Sequence, residues 1–286
     1  MCWRSSGAMR RKRILAVAAA CAVLALGALL HVGMQLAQHS RRPVRMQAPF
    51  EDVRFQGTHG SLLKARHNAR CALLMHPIRG DRRAMAGRAK FLREAGITSL
   101  AIDLHAHGET PGAYTTFGLR ESNDARNGLA YLRTVQGCGQ VVAIGHSLGG
   151  VAALVGEGPI AADAFVLEEV FPSIEDAVAN RLAMRFGYAG RLAAPLIYLQ
   201  LPLLTGIALE QVRPVDAIAR LKVPVLVVGG MRDEHTPPQD TRRLFDAARG
   251  DKTLWLVEGA AHEDLYAFDP VQYRARLEGF LAKLPR

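Results

Sequence analysis

Residues 141–156, VVAIGHSLGGVAALVG, join an apolar, β-branched run to a run of small residues through a serine that lies between glycines. The first run predicts a buried strand over 140–145, and the second predicts a helix over 148–156. A strand that turns directly into a helix brings the two elements close together, which Gly145 and Gly149 permit. The pattern G-x-S-x-G is typical of turns that expose a serine hydroxyl at their crest. Ser147 is therefore a candidate nucleophile, and the chain is constrained to an α/β arrangement.

After residue 50, short apolar runs alternate with segments whose apolar residues have helical spacing. The runs DVRFQG and SLLKARHN predict a hairpin of two strands joined by a glycine-containing turn. Five further strands and three helices follow, an alternation typical of a mostly parallel sheet with helices on both faces. The strands are expected over 71–77, 98–103, 164–170, 223–230 and 252–259, and the helices over 81–96, 120–135 and 269–284.

The alternation is interrupted between about 171 and 221. This stretch contains an uncharged run, residues 192–209, that is long enough for a second membrane span. Pro195, Gln200 and Pro202 argue against a span, so we predict a small helical cap insert over the carboxyl edge of the sheet. The apolar residues of this cap fit an apolar acyl group or a lid near the membrane surface, and they equally fit packing within the cap.

Residues 14–37, ILAVAAACAVLALGALLHVGMQLA, form a long apolar stretch without formal charge. At ~1.5 Å per residue, a helix of this length crosses a bilayer. The alternatives are a signal peptide, for which the following residues make a poor cleavage site, and a lipoprotein at Cys21, which has too short a segment before it. We predict a basic segment over 1–13, a single transmembrane anchor over 14–37, a polar linker over 38–49 and a catalytic domain over 50–286.

The net charge of +10 is concentrated near the N-terminus, where residues 1–45 hold eight of the 36 Lys and Arg residues and no acid. The remainder has 28 basic and 26 acidic residues and lacks a basic stripe with interleaved aromatic residues, which argues against nucleic-acid binding. The basic residues at 10–13 favour a cytoplasmic N-terminus and a periplasmic catalytic domain, whereas Arg41, Arg42 and Arg45 favour the opposite orientation.

A serine hydroxyl is a poor nucleophile unless a base assists it. In parallel α/β sheets, ligands bind beyond the carboxyl ends of the strands. Asp233 is the first acid after the strand predicted over 223–230, and His262 follows the strand predicted over 252–259. The chain order Ser, Asp, His is the one expected with a G-x-S-x-G serine. We therefore predict a triad of Ser147 as nucleophile, Asp233 as orienting acid and His262 as general base.

The segments GHSLGG, GMRDEHTPP and GAAHEDLYAFDP, with DLHAHGETPG at 103–112, resemble the α/β-hydrolase superfamily over roughly residues 50–286. The pattern is similar to that of membrane-anchored or exported hydrolases of the dipeptidyl-peptidase-like and FrsA-like type. The resemblance implies the α/β-hydrolase fold and the same three triad residues.

An oxyanion hole would be formed by the N–H groups of Leu148, at the start of a helix, and of Ile78. The family usually has His-Gly at the end of the third strand, whereas this chain has Pro77 in place of the glycine. Proline has no N–H, but the donor that matters belongs to the next residue, Ile78, so the hole can still form. One such donor is typically worth ~3 kcal/mol of transition-state stabilisation.

Other polar residues near the predicted strand ends have simpler explanations. Glu168 or Glu169, at the end of the strand 164–170, could take the place of Asp233. His146 and His235 are expected to be packing or loop residues. The D-x-H-x-H pattern allows a metal site, but similarity to the family's own loop explains it better. Two acids at helical spacing are expected to be solvated or to cap a helix end, without a chemical role. These residues are Asp103, His105 and His107 in the pattern, and Glu121 and Asp124 on the helix.

Two cysteines lie in the predicted catalytic domain. Cys71 begins the third predicted strand, and Cys138 precedes the strand that leads to Ser147. The resemblance implies that these strands are neighbours in the sheet, so an exported domain could form a Cys71–Cys138 disulfide. The alternative is that both are small, buried free thiols.

The sequence thus predicts a serine hydrolase that cleaves carboxylic esters, including apolar acyl esters or thioesters, through an acyl-enzyme and without a cofactor or metal. Its partners would be a small-molecule or lipid-like ester and the membrane, with no nucleic acid. A peptidase or amidase of the same fold and a catalytically inactive, anchored binding module are the alternatives.

Overall fold

The computed structural model of the protein describes residues 37–66 and 70–284, with single residues and short stretches between 11 and 35. Most of the predicted basic segment and anchor, including Cys2 and Cys21, lies outside the described residues. Within the part of the chain that is described, no helix has both the length and the apolar character that crossing a bilayer requires.

An eight-stranded sheet forms the centre of the molecule. Its strands are β1 Glu51–Phe55, β2 Thr58–Leu63, β3 Arg70–Met75, β4 Thr98–Ile102, β5 Gln140–His146, β6 Ala164–Glu168, β7 Val225–Gly230 and β8 Lys252–Val257. Their spatial order is β8-β7-β6-β5-β3-β4-β2-β1. The predicted hairpin is confirmed, because β1 and β2 pair antiparallel, and β2 also pairs antiparallel with β4. All other neighbours are parallel, as predicted.

Helices cover both faces of the sheet, and each face has its own apolar core. Adjacent residues of β3 illustrate this, because Leu73 belongs to one core and Leu74 to the other. A strand buried on both faces needs a continuous apolar sequence, which is the pattern seen here. The helices are α1 Ala86–Glu94, α2 Glu121–Thr134, α3 Leu148–Leu154, α4 Ile174–Tyr198, α5 Leu201–Thr205, α6 Pro214–Ile218, α7 Pro238–Ala247, α8 Leu265–Phe268 and α9 Pro270–Leu281.

The segment between β6 and β7, where the cap insert is predicted, contains α4, α5 and α6. The uncharged run at 192–209 is not an independent unit, because α4 continues into it through a kink at Gly187, where φ is 58°. Glycine tolerates this left-handed conformation without a steric penalty. Near the first turns of α4, the Asn180 side-chain amide donates to the carbonyl oxygen of His235, in the loop after β7. The insert is therefore connected directly to the carboxyl edge of the sheet.

Two long-range connections fasten the amino-terminal part of the domain. A disulfide joins Cys71 in β3 to Cys138, and their Cα atoms lie 5.9 Å apart. The two cysteines meet because β3 and β5 are adjacent parallel strands. In the region predicted as a linker, Ser40–Arg41 pairs with His107–Gly108, so part of this segment lies on the domain instead of extending from it.

Candidate active site

Ser147 occupies the sharp turn between β5 and α3, with φ 50° and ψ −111°. A non-glycine residue in this region is strained and persists only where its surroundings hold it. The neighbouring glycines are required by close packing. A Cβ added at Gly149 would lie 2.2 Å from the Met75 carbonyl oxygen, and one at Gly145 would lie 2.4 Å from the Gly150 nitrogen. The glycine spacing in the sequence is therefore explained by the approach of α3 to the ends of β3 and β5.

His262 lies between Ser147 and Asp233. Its Nε2 is 3.3 Å from Ser147 Oγ, and its Nδ1 is 2.7 Å from Asp233 Oδ2. A carboxylate accepts a hydrogen bond, so Nδ1 carries the proton and Nε2 presents a lone pair to the serine hydroxyl. The structure thus brings together the three residues that the sequence predicts at three different strand ends.

Asp233 is held in place by the loop that follows β7. Its Oδ1 accepts backbone N–H bonds from His235 and Thr236, each 2.8 Å long, while Oδ2 faces His262. The side chain is buried, with 2% exposure. Two backbone donors stabilise a buried carboxylate and fix its orientation. His235 contributes its backbone N–H to this loop, a contact that any residue except proline could make.

The loop after β3 contains Pro77 and Ile78, and His76 organises it. The N–H of Leu104 donates to His76 Nε2 at 3.1 Å, so the proton of this ring lies on Nδ1, which donates to the Pro77 carbonyl oxygen at 2.7 Å. Burial lowers the pKa of His76 to about 3, which keeps it neutral. The sequence indicates the loss of the glycine at position 77 but not this support, because the contacts of His76 depend on the folded loop.

Glu169 follows β6 and forms a buried pair with His146. Its Oε2 lies 2.8 Å from His146 Nε2, while its Oε1 has no hydrogen-bond partner among the described residues. Burial raises the pKa of Glu169 to about 9, with His262 opposing and Asp233 adding to the rise. Burial lowers the pKa of His146 to about 4. One proton lies between Glu169 Oε2 and His146 Nε2 in this hydrogen bond.

Glu168 and Glu169, the predicted alternatives to Asp233, have different partners. Glu169 lies 3.7 Å from His262 Nδ1, farther than Asp233. Glu168 is bound by Arg88, which also binds Asp264 at 2.6 Å. Asp264 caps α8 and is two residues from His262. This buried ion network connects the end of β6 to the loop that contains His262.

The D-x-H-x-H residues do not form a metal-ligand group. Asp103 accepts from the Arg82 and Glu109 backbone N–H groups and pairs with the Arg82 side chain, and His107 Nδ1 bonds to the His105 carbonyl oxygen at 2.8 Å. Among the described residues, three different side chains, those of His146, Glu169 and His262, do offer ligand atoms within 4.8 Å of one another. Its nitrogen atoms already have protein partners.

Glu121 and Asp124 lie in the first turn of α2, so the expectation of a helix end fits them and the expectation of a solvated face is wrong. Both are buried. Glu121 accepts from the hydroxyl and backbone groups of Thr115, Thr116 and Gly118, and Asp124 accepts from Thr58 and from the His105 N–H. The partners of Glu121 are three to six positions away, next to the helix end, whereas those of Asp124 are 19 and 66 positions away, where no local pattern indicates them.

The sheet order and the strand-to-helix turn at Ser147 define the architecture of an α/β hydrolase. A profile described as "Alpha/beta hydrolase family" matches residues 58–276. The chain belongs to this family. The narrower resemblance to dipeptidyl-peptidase-like and FrsA-like hydrolases has no such support.

Two relatives are similar to this chain in sequence over part of their length. The uncharacterized protein YqkD of Bacillus subtilis is 27% identical over 192 residues, which cover 66% of this chain and 63% of YqkD. The α/β hydrolase domain-containing protein WAV2 of Arabidopsis thaliana is 33% identical over 129 residues, which cover 44% of this chain and 41% of WAV2. The matches thus span less than two thirds of either relative.

Solved structures share the fold at low sequence identity. The esterase Pf2001 of Pyrococcus furiosus superimposes with a TM-score of 0.66 at 20% identity, covering 85% of this chain and 98% of the esterase. A monoacylglycerol lipase of Paleococcus ferrophilus gives 0.57 at 21% identity, covering 79% and 98%. These similarities establish the fold, whereas the reaction depends on the residues of the site.

Proposed function

We propose that the protein is a serine hydrolase that cleaves carboxylic esters. The observation that supports this most strongly is the position of His262 between Ser147 Oγ and Asp233. The esterase and the lipase that share the fold add support for ester substrates. A strained serine, a histidine in the correct tautomer and a fixed acid are the parts that nucleophilic acyl transfer requires.

In the first step, Ser147 Oγ attacks the ester carbonyl carbon while His262 Nε2 accepts the hydroxyl proton. Asp233 stabilises the imidazolium that forms. The tetrahedral intermediate collapses, and His262 donates its proton to the leaving alcohol. Water then attacks the acyl-enzyme with His262 again as base, and the acid product leaves.

The oxyanion is assigned to the N–H groups of Leu148 and Ile78. Leu148 is the first residue of α3, where the N–H has no acceptor within the helix. Ile78 follows the Pro77 carbonyl, which His76 holds. Such donors act without reorganisation, because the backbone is fixed before the charge develops.

The location of the protein is part of the same proposal. The apolar stretch 14–37 acts as an anchor, and the catalytic domain lies on the periplasmic side. The Cys71–Cys138 disulfide supports this assignment, because disulfides persist in oxidising compartments.

Hydrolysis of p-nitrophenyl esters of increasing acyl length by the full chain tests the proposal. We expect turnover that Ser147→Ala and His262→Ala abolish, while His39→Ala, which changes an exposed histidine, retains it. A parallel series of peptide p-nitroanilides separates esterase from peptidase activity. Turnover of the anilides alone, or of neither series by folded protein, would contradict the proposal.

A further inference from the structure

The outer side of the cap insert carries a stripe of exposed apolar side chains. Five large residues recur three or four positions apart along α4 and α5 and are between 56% and 87% exposed. We call this stripe the cap face. On the opposite side of the same helices, Ala194, Ile197 and Leu201 are buried in the core. A contiguous exposed apolar surface of this kind marks an interaction site on a soluble domain. The cap face consists of Tyr188, Leu192, Leu196, Leu199 and Leu203.

The charges within the part of the insert that carries the cap face have one sign. Between residues 177 and 209 the sequence contains three charged side chains, all of them arginine, and no acid. Arg185 and Arg191 are exposed and flank the start of the stripe. An apolar helix face bordered by arginine is complementary to a surface that is apolar inside and negative at its boundary, which describes an anionic lipid bilayer.

The end of the apolar N-terminal segment lies beside the cap face. A Cβ at Gly33 would be 2.8 Å from Leu204 Cδ1, so this part of the segment packs on α5. The Gln35 carbonyl oxygen accepts a hydrogen bond from Arg79, next to Ile78. Ala37 is buried in the core of the domain. The segment therefore leaves the domain beside both the cap face and the loop assigned to the oxyanion.

We propose that the cap face docks on the surface of an anionic bilayer, with its leucines in the interfacial region and its arginines at the headgroups. A site in this position would take esters whose acyl chains reside in the membrane. The docking rests on the exposed stripe and its charge, whereas the substrate class rests on the proposed ester hydrolysis.

Site-specific fluorescence tests the docking. The full chain carries Cys2→Ser and Cys21→Ser, so that Leu203→Cys provides the thiol for labelling. This thiol is labelled with the environment-sensitive dye NBD without reductant. The labelled protein is then reconstituted in vesicles of phosphatidylglycerol and phosphatidylcholine with brominated acyl chains. Val271→Cys is the matched control, because Val271 is 81% exposed and Leu203 is 87% exposed. We expect a blue shift and loss of most emission for the probe at position 203, and neither change for the probe at position 271.

Equal responses at the two positions would overturn the proposal. A blue shift at 203 that appears without lipid and grows with protein concentration would also overturn it, because a second copy of the chain would then cover the cap face. Vesicles of phosphatidylcholine alone should quench the probe less, and the combined Arg185→Gln and Arg191→Gln changes should remove that difference.

Docking requires no turnover, so Ser147→Ala should show the same quenching as the wild type. Quenching without ester hydrolysis would leave the docking standing and remove the enzymatic proposal. Ester hydrolysis without quenching would remove the docking proposal and leave the enzymatic proposal standing. Far-ultraviolet circular dichroism of each labelled variant verifies that the comparison is between folded proteins.

Discussion

Glu169 places a carboxyl oxygen 3.7 Å from Nδ1 of His262, the nitrogen that donates to Asp233. Two ionised carboxylates beside one imidazole would repel each other. Burial prevents this, because it raises the pKa of Glu169 to about 9 and keeps the group protonated at neutral pH. The site thus contains a second carboxyl that is neutral while Asp233 binds the histidine.

Glu169→Gln is expected to remove a decline in stability between about pH 7 and pH 9. Below its folded-state pKa of about 9 and above the ordinary carboxyl value, Glu169 holds a proton in the folded protein that the unfolded chain has released. Stability therefore falls as the pH rises, by at most about 1.4 kcal/mol per pH unit from this one group. Urea unfolding across this range should show the decline in the wild type and a flatter profile in the variant.

Asp124→Asn is the control for this experiment. Burial raises the pKa of Asp124 to about 7, so its contribution to the pH dependence lies below that pH. This variant should keep the decline seen in the wild type above about pH 7. A wild-type stability that is constant over the alkaline range would contradict the assignment of a protonated Glu169.

Asp233→Asn is expected to lower kcat by about 10³–10⁴-fold. The carboxamide accepts from His262 less strongly, and its NH₂ group favours the tautomer with the proton on Nε2, which cannot take the serine proton. Glu234→Gln, at the adjacent exposed acid, should change kcat by less than about threefold. Steady-state ester hydrolysis by both variants makes the comparison, and equal rates would show that Asp233 does not orient the base.

Arg88→Met is expected to reduce the free energy of unfolding by about 3–5 kcal/mol, because it leaves the buried Glu168 carboxylate without its cation. Arg274→Met removes a surface ion pair with Glu94, at 2.9 Å, and a hydrogen bond to the Tyr266 hydroxyl, and should reduce the free energy of unfolding much less. Arg88→Met should also lower kcat, since Asp264 is released beside His262. Equal unfolding free energies for the two variants in urea would contradict this role of the network.

Removing the Cys71–Cys138 disulfide is expected to destabilise the protein by about 4 kcal/mol. The bond closes a loop with a sequence separation of 67 residues, and the chain-entropy relation gives a stabilisation of this order. Urea unfolding with and without reductant measures the effect. Unfolding curves that coincide, or alkylation of both thiols in the unreduced folded protein, would contradict it.

The sheet and the three residues at its carboxyl edge could be predicted because local patterns determine them. Apolar runs mark the strands of a sheet buried on both faces, and Ser147, Asp233 and His262 each follow such a run. The sheet topology then brings these three residues together, because the carboxyl ends of parallel strands meet at one edge.

The supporting residues could not be predicted in the same way. Arg88 lies within a predicted helix, and its partners Glu168 and Asp264 are 80 and 176 residues away, so no local pattern indicates this network. The raised pKa of Glu169 depends on burial by elements distant in the chain. The kink at Gly187 was missed because a glycine within a helical pattern does not by itself indicate a left-handed residue.

Reaction of the full chain with a fluorophosphonate, followed by intact mass and peptide mapping, tests the central claim most directly. A serine activated by His262 forms a phosphonyl ester, whereas an ordinary serine hydroxyl is inert to the reagent. We predict one adduct, located on Ser147, that is absent in Ser147→Ala and strongly slowed in His262→Ala. Folded wild-type protein that forms no adduct, or forms it on another residue, would contradict the claim that this turn holds a catalytic nucleophile.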